Sequence, residues 1–113
     1  MQDCLFCKII AGEIPSKKVY ENEYVYAFED INPMAPVHIL VIPKKHITNV
    51  LEINSENSDI VAHIFEAIPE IAKQQKLEKG FRVVSNCNEY GCQSVFHLHF
   101  HILGGKQLSA EMA

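Results

Sequence analysis

Apolar and polar residues alternate strictly near the C-terminal end of this chain. Phe96, Leu98, Phe100 and Ile102 interleave with His97, His99 and His101. Side chains at i, i+2 and i+4 of a β-strand share one face. The pattern predicts a strand over Val95 to Leu103, with the four apolar residues turned into a core and three imidazoles aligned opposite. A different period runs through the middle of the chain. Ile60, Val61, Ile64, Phe65, Ile68, Ile71 and Ala72 recur at helical spacing and predict a long helix from about Ser55 to Lys79. Glu56 and Asp59 near its start suit the helix dipole, and Gly80 is placed to end it. Pro69 lies inside the pattern, removes the hydrogen bond to the Phe65 carbonyl and predicts a bend.

The shorter elements follow from the same reading. Cys4 to Ala11 carries Leu5, Phe6, Ile9 and Ile10 and predicts a short helix, with Asp3 as N-cap and Gly12 as stop. Val19-Tyr20 and Tyr24 to Phe28 predict two strands joined by a tight turn at Glu21-Asn22-Glu23. Pro33 and Pro36 stiffen a loop over Asp30 to Val37. His38 to Ile42 predicts a third strand ended by Pro43, and Phe81 to Ser85 a fourth before a polar turn at Asn86 to Cys92. Five strands around one long helix define an α+β class with a mainly antiparallel sheet.

Length and composition narrow the classes of function. A chain of 113 residues with 48% hydrophobic content predicts one domain, residues 1–113, with a real core. A net charge of −4 argues against a nucleic-acid polymer as partner. No apolar run reaches the length of a membrane span. Met1-Gln2-Asp3-Cys4 has no basic leader before an apolar stretch, so the expected location is cytoplasmic. Four cysteines in that compartment favour thiols or a metal site over disulfides.

Three imidazoles in register point to nucleophilic, acid–base or metal chemistry rather than to a solvated strand face. Cys4-Leu5-Phe6-Cys7 is a knuckle that two further ligands would complete into a tetrahedral zinc site. Asp30 reads either as a turn-initiating residue before Asn32-Pro33 or as a carboxylate able to accept two hydrogen bonds from a cis-diol. His63, on the long helix, reads as an ordinary surface or half-buried histidine.

The segment His97-Leu98-His99-Phe100-His101-Ile102-Leu103 resembles the signature of the histidine-triad (HIT) family of nucleotide hydrolases and transferases. Gln93-Ser94-Val95 before it and Gly104-Gly105 after it are similar to the Hint branch. So are Asp30 through His38, Val41-Ile42-Pro43-Lys44-Lys45-His46, and Lys8-Ile9-Ile10 with Glu13-Ile14-Pro15. The likeness covers the chain from about Cys4 to Gly105.

That resemblance implies an antiparallel sheet with one long helix, joined across a homodimer into a larger sheet. It implies His99 as the nucleophile that attacks the α-phosphorus of a nucleotide. His101 would bind the phosphate or handle the leaving group, Ser94 would hydrogen-bond the leaving group or a phosphate oxygen, and His38 would support the triad. Asp30 would take the ribose hydroxyls, with Ile31 in the pocket wall. Phe6, Ile9, Ile14, Phe28 and Leu40 match the apolar pocket for the base. For Phe6, Ile9, Phe28 and Leu40, ordinary core packing is an equal reading of the residues themselves. Asn86, Cys92, Gln93 and Val95 complete the nucleotide site around Ser94.

The covalent mechanism implied needs no cofactor. A structural zinc is implied at Cys4, Cys7, His46 and His97, which would leave His99 and His101 to catalysis. The implied activity is hydrolysis of purine nucleoside 5′-phosphoramidates at the P–N bond, giving a nucleoside monophosphate. The alternatives are a dinucleoside polyphosphate hydrolase of the Fhit-like branch and a non-catalytic nucleotide-binding module. Two departures stand out: Cys92 occupies a position where relatives have glycine, and the tail after Gly105 lacks the tryptophan that Hint relatives carry.

Overall fold

The structure, a computed structural model, describes residues 3–113. Met1 and Gln2, part of the segment read as lacking a basic leader, lie outside them. In chain order the elements are α1 (Leu5–Ile10), β1 (Lys18–Glu21), β2 (Val25–Glu29), β3 (Val37–Pro43), α2 (Ser58–Gln74), β4 (Phe81–Val84) and β5 (Phe100–Gly104), with short 3-10 turns at Val50–Glu52 and Glu89–Gly91. The sheet has order β1-β2-β3-β5-β4, and every neighbouring pair is antiparallel. β1 and β4 are its edges. The α+β class and the antiparallel sheet are as expected.

The sheet is buried on both faces. Val25, Ala27, Ile39, Val41, Phe100 and Ile102 point one way and pack with Ile64, Ala67, Ile68, Ile71 and Ala72 of α2. Their alternate neighbours Tyr26, Phe28, Leu40 and Ile42 point the other way and pack with Phe6 and Ile9 of α1. Burial on both sides turns β2 and β3 into nearly continuous apolar runs, not alternating ones.

Several expected boundaries move, each for a local reason. The cap of α1 is Cys4, not Asp3: the Cys4 Sγ accepts from the Cys7 backbone N–H at 3.3 Å. α2 starts at Ser58, three residues later than expected. Asn54 and Asn57 spend their side chains on a turn just before it, accepting from Glu56 N and Asn54 N at 2.8 Å each. α2 ends at Gln74, and the left-handed residue that closes it is Lys76 (φ 60°), while Gly80 (φ 121°) turns the chain later, before β4. Leu77 N–H then bonds the Ala72 carbonyl at 2.9 Å and Lys76 N–H the Lys73 carbonyl at 3.2 Å, a Schellman ending. The helix runs unbroken across Pro69. Gly104 lets β5 pass beneath the ensuing loop: a Cβ there would sit 2.9 Å from Leu77 Cδ2.

The largest correction concerns the histidine segment. β5 begins only at Phe100, so His101 alone of the three histidines lies in the ladder. β3 pairs with it from Val37↔Gly104 to Val41↔Phe100 and no further. Beyond that point the Pro43 carbonyl accepts from the His97 ring at 2.9 Å, so a side chain takes the place of a strand partner. His97 is fully buried, and Phe96 is half exposed rather than in the core.

Candidate functional site

The site forms where β3 and β5 leave the ladder, on the α1 face of the sheet. β3 delivers His38 and β5 delivers His101 to that face, since Ile39 and Ile102 take the other. His99 is buried and follows the bend made by His97 and Leu98, whose N–H bonds the Ile47 carbonyl at 2.6 Å. The Ser85 hydroxyl donates to the His99 carbonyl at 2.9 Å and holds that backbone from the β4 side. Phe6 of α1 meets the rings of His99 and His97 edge-on at 5.1 and 5.9 Å between centroids.

Hydrogen bonds decide which ring nitrogens are free. His99 Nδ1 lies 2.7 Å from the His97 carbonyl, an acceptor, so Nδ1 carries the proton. The Nε2 lone pair is thereby left available, the arrangement that a nucleophilic imidazole requires. Burial is the main influence that lowers the His99 pKa from the ordinary histidine value, so the ring is neutral in neutral solution. His38 and His101 face one another, with His38 Nε2 2.9 Å from His101 Nδ1. The Met34 amide donates to His38 Nδ1 at 3.0 Å. His101 is pushed down to about 4, first by burial and then by His99 and His38.

A second cluster lies behind the triad. Cys4 Sγ, Cys7 Sγ, one nitrogen of His46 and one of His97 all fall within 4.8 Å of one another. The separations are 3.3 Å for Cys4–His97, 3.4 Å for Cys7–His46 and 3.6 Å for Cys7–His97. Tetrahedral zinc with ordinary Zn–S and Zn–N bonds requires S···N distances of about 3.6 Å, so the donor set fits that ion. His97 Nε2 donates to Pro43, which turns the Nδ1 lone pair toward the thiols. Burial and Cys4 push the Cys7 thiol up to about 11. Two close thiols resist ionising together until a cation supplies the opposing charge. The group Asp30, His38 and His101 also converges, but His38 spends both ring nitrogens on protein partners, so it is no comparable ligand set.

The remaining expected residues take different places. Phe6, Ile9, Phe28 and Leu40 are brought together in one buried cluster, with Ile14 and Val95 packed against it. Asp30 stands beside His38, its Oδ2 3.5 Å from Nε2, while its Oδ1 accepts from Asn32 N at 2.8 Å. The Asn32 bond is that of the turn-initiating reading. Ser94 is exposed and Asn86 half buried, while Ile31 is 91% exposed. Cys92 takes a left-handed backbone (φ 61°, ψ 39°), the conformation that makes glycine the easier residue there. Gln93 corrects an expectation. Its Oε1 accepts from Asn49 Nδ2 and Asn88 N, and its Nε2 donates to the Thr48 and Val95 carbonyls. A side chain so committed braces the loop and has nothing left for a phosphate.

Asn49 is the residue that sequence reasoning missed. It is buried, caps the 3-10 turn through Leu51 N, and ties that turn to Asn88 at 2.9 Å. An Asn just before a short apolar turn was the available signal.

Fold and site together define an α+β domain whose central strands converge on a buried histidine cluster. The HIT domain model matches residues 11–108, and the chain belongs to the HIT family. The 14 kDa zinc-binding protein of Brassica juncea is 45% identical over 109 residues, 95% of this chain and 96% of that protein. The adenylylsulfatase HINT1 of Arabidopsis thaliana is 44% identical, over 93% of this chain and 73% of its own length. A HIT family hydrolase from Clostridium thermocellum superposes with a TM-score of 0.97 at 47% identity, covering 100% of this chain and 99% of that one. Among the described residues, no helix is long and apolar enough to cross a membrane.

Proposed function

We propose that this protein hydrolyses purine nucleoside 5′-phosphoramidates at the P–N bond through a covalent intermediate on His99. The observation that carries the reading is the His99 Nδ1 hydrogen bond to the His97 carbonyl, which leaves Nε2 as a buried, neutral nucleophile. In the first step Nε2 bonds to the α-phosphorus, the P–N bond breaks, and the nitrogen leaves as the amine with a proton supplied from water. In the second step water attacks the same phosphorus, the P–Nε2 bond breaks, and the nucleoside monophosphate is released. His101 and Ser94 meet the phosphate oxygens and the leaving group. Asp30 accepts from the ribose hydroxyls. The base lies against the cluster of Phe6, Ile9, Phe28 and Leu40. The hydrolase and nucleotide-handling names among the relatives support this reading.

The fit of the four donors supports a structural zinc held by Cys4, Cys7, His46 and His97, as does the relative named for zinc binding. The whole chain acts as one domain, and a homodimer in the cytoplasm is the expected working form. The unpaired edges of β1 and β4 support such pairing.

Rapid-quench mixing with radiolabelled adenosine phosphoramidate, stopped in base, tests the chemistry. The expected result is an acid-labile adduct on His99 that forms and decays at the turnover rate. Release of product with no adduct would remove the covalent step. Tight nucleotide binding with neither adduct nor product would turn the reading into a binding module. Metal analysis of freshly purified protein is expected to find one zinc per chain.

A further inference from the structure

We infer that the main-chain amide of Met34 sets the tautomers of both His38 and His101, and makes His101 a fixed, uncharged hydrogen-bond donor to the site rather than an acid. The assignment of His101 to the phosphate rests on the function proposed above; the tautomers themselves rest on geometry alone.

The chain of bonds has one direction. A backbone N–H can only donate, and that of Met34 lies 3.0 Å from His38 Nδ1. Nδ1 is therefore a lone pair, and the single proton of His38 sits on Nε2. Nε2 is 2.9 Å from His101 Nδ1 and 3.5 Å from Asp30 Oδ2. The Asp30 carboxylate agrees with that assignment, but at 3.5 Å from Nε2 it is too distant to fix the tautomer unaided. His101 Nδ1 thus accepts, and its own proton sits on Nε2, the nitrogen turned away from His38.

The same bonds forbid a second proton. Neither ring can protonate Nδ1 without losing the bond it accepts. Burial agrees: it is the first cause lowering both groups, and His99 and His38 act further on His101. His101 also cannot surrender its Nε2 proton and be refilled from His38, because Met34 has no proton to pass on in turn. A neutral donor suits a phosphate oxygen whose charge grows as phosphorus is attacked. The proton that leaves with the amine then comes from water, as in the step written above.

The amide is well held. Met34 sits between Pro33 and Pro36, and Gly105 (φ 91°) packs against the latter, where a Cβ would come within 3.0 Å of Pro36 Cβ. The Met34 side chain is 79% exposed and takes no part. The position therefore offers a backbone test with a side-chain control.

The experiment replaces Met34 with its α-hydroxy analogue by semisynthesis, so that an ester oxygen stands where the N–H was, and uses Met34→Ala as control. Ring nitrogen shifts of ¹⁵N-histidine report the tautomers. In the unmodified protein and in Met34→Ala, His38 and His101 are each expected to show a bare Nδ1 and a protonated Nε2. The ester is expected to show mixed tautomers at both rings and a roughly tenfold lower kcat with KM little changed, the size of one hydrogen bond. A protonated Nδ1 at either ring in the unmodified protein overturns the inference. So does an ester variant with unchanged shifts. Shifts as expected in a protein that turns over no phosphoramidate would support the tautomer chain and place the failure on the proposed reaction.

Discussion

The two faces of the sheet do different work with the same strands. Toward α2, β2, β3 and β5 present Val25, Ala27, Ile39, Val41, Phe100 and Ile102, with no polar side chain among them. Toward α1, the same strands present Phe28, Leu40, His38 and His101, and the helix adds Phe6 and two thiols. The first face is closed by shape alone. The second is closed by directed bonds: ring to carbonyl, ring to ring, amide to ring. One face holds the fold, and the other uses that rigidity to hold protons in chosen places.

The sharpest test of this division is a pair of substitutions. His99→Ala is expected to lower kcat by roughly 10⁴-fold, the scale for loss of a covalent nucleophile, with the melting transition retained. Steady-state assay alongside circular dichroism reads both quantities. Full activity in that variant would end the proposed mechanism. On the opposite face, Ile102→Ala is expected to cost about 2–5 kcal/mol in urea unfolding while kcat per folded molecule stays near wild type. A collapse of kcat there, without loss of stability, would show that the faces are not separable.

A smaller effect is expected from pH. His101 is pushed from 6.5 down to about 4 in the folded protein, by burial first. Between those values the unfolded chain binds a proton that the folded chain refuses. Stability is therefore expected to fall as pH drops from about 6.5 toward 4 and to be level above that window. Thermal melts across the range should show the slope, and His101→Asn should lessen it, with the other lowered histidines, His38, His97 and His99, carrying the rest. The smallest effect belongs to the loop brace. Asn49→Ala is expected to cost about 1–3 kcal/mol by stranding Gln93 and Asn88, measured by urea unfolding.

Much of this was legible in the chain. The helical period located α2, and short apolar runs bounded by turn residues located β1 to β4, with β2 and β3 continuous because both of their faces are buried. The histidine segment was harder. Alternation placed three imidazoles in one ladder, yet only His101 is there. Periodicity registers which residues are apolar, not where a neighbouring strand stops, and β3 stops pairing with β5 at Val41. His97 then had to be buried, with Pro43 and the cysteines as its partners. Gln93 was misread for a related reason: a polar side chain near a site looks free until the loop it braces is built. The Cys4–Cys7 pair was clear in spacing, and its partners His46 and His97 followed from resemblance, not from the pattern.

The left-handed Cys92 also gives the molecule a reporter. It is the exposed cysteine among the four, while Cys4, Cys7 and Cys87 are half buried. A thiol-reactive fluorophore would attach there first, two residues from Ser94, and metal ligation would shield Cys4 and Cys7 further. Because the backbone at that point is confined to one conformational well, the dye would ride on the loop instead of swinging about its own anchor. Its emission would follow substrate arrival and departure in real time, from a residue the native sequence already supplies.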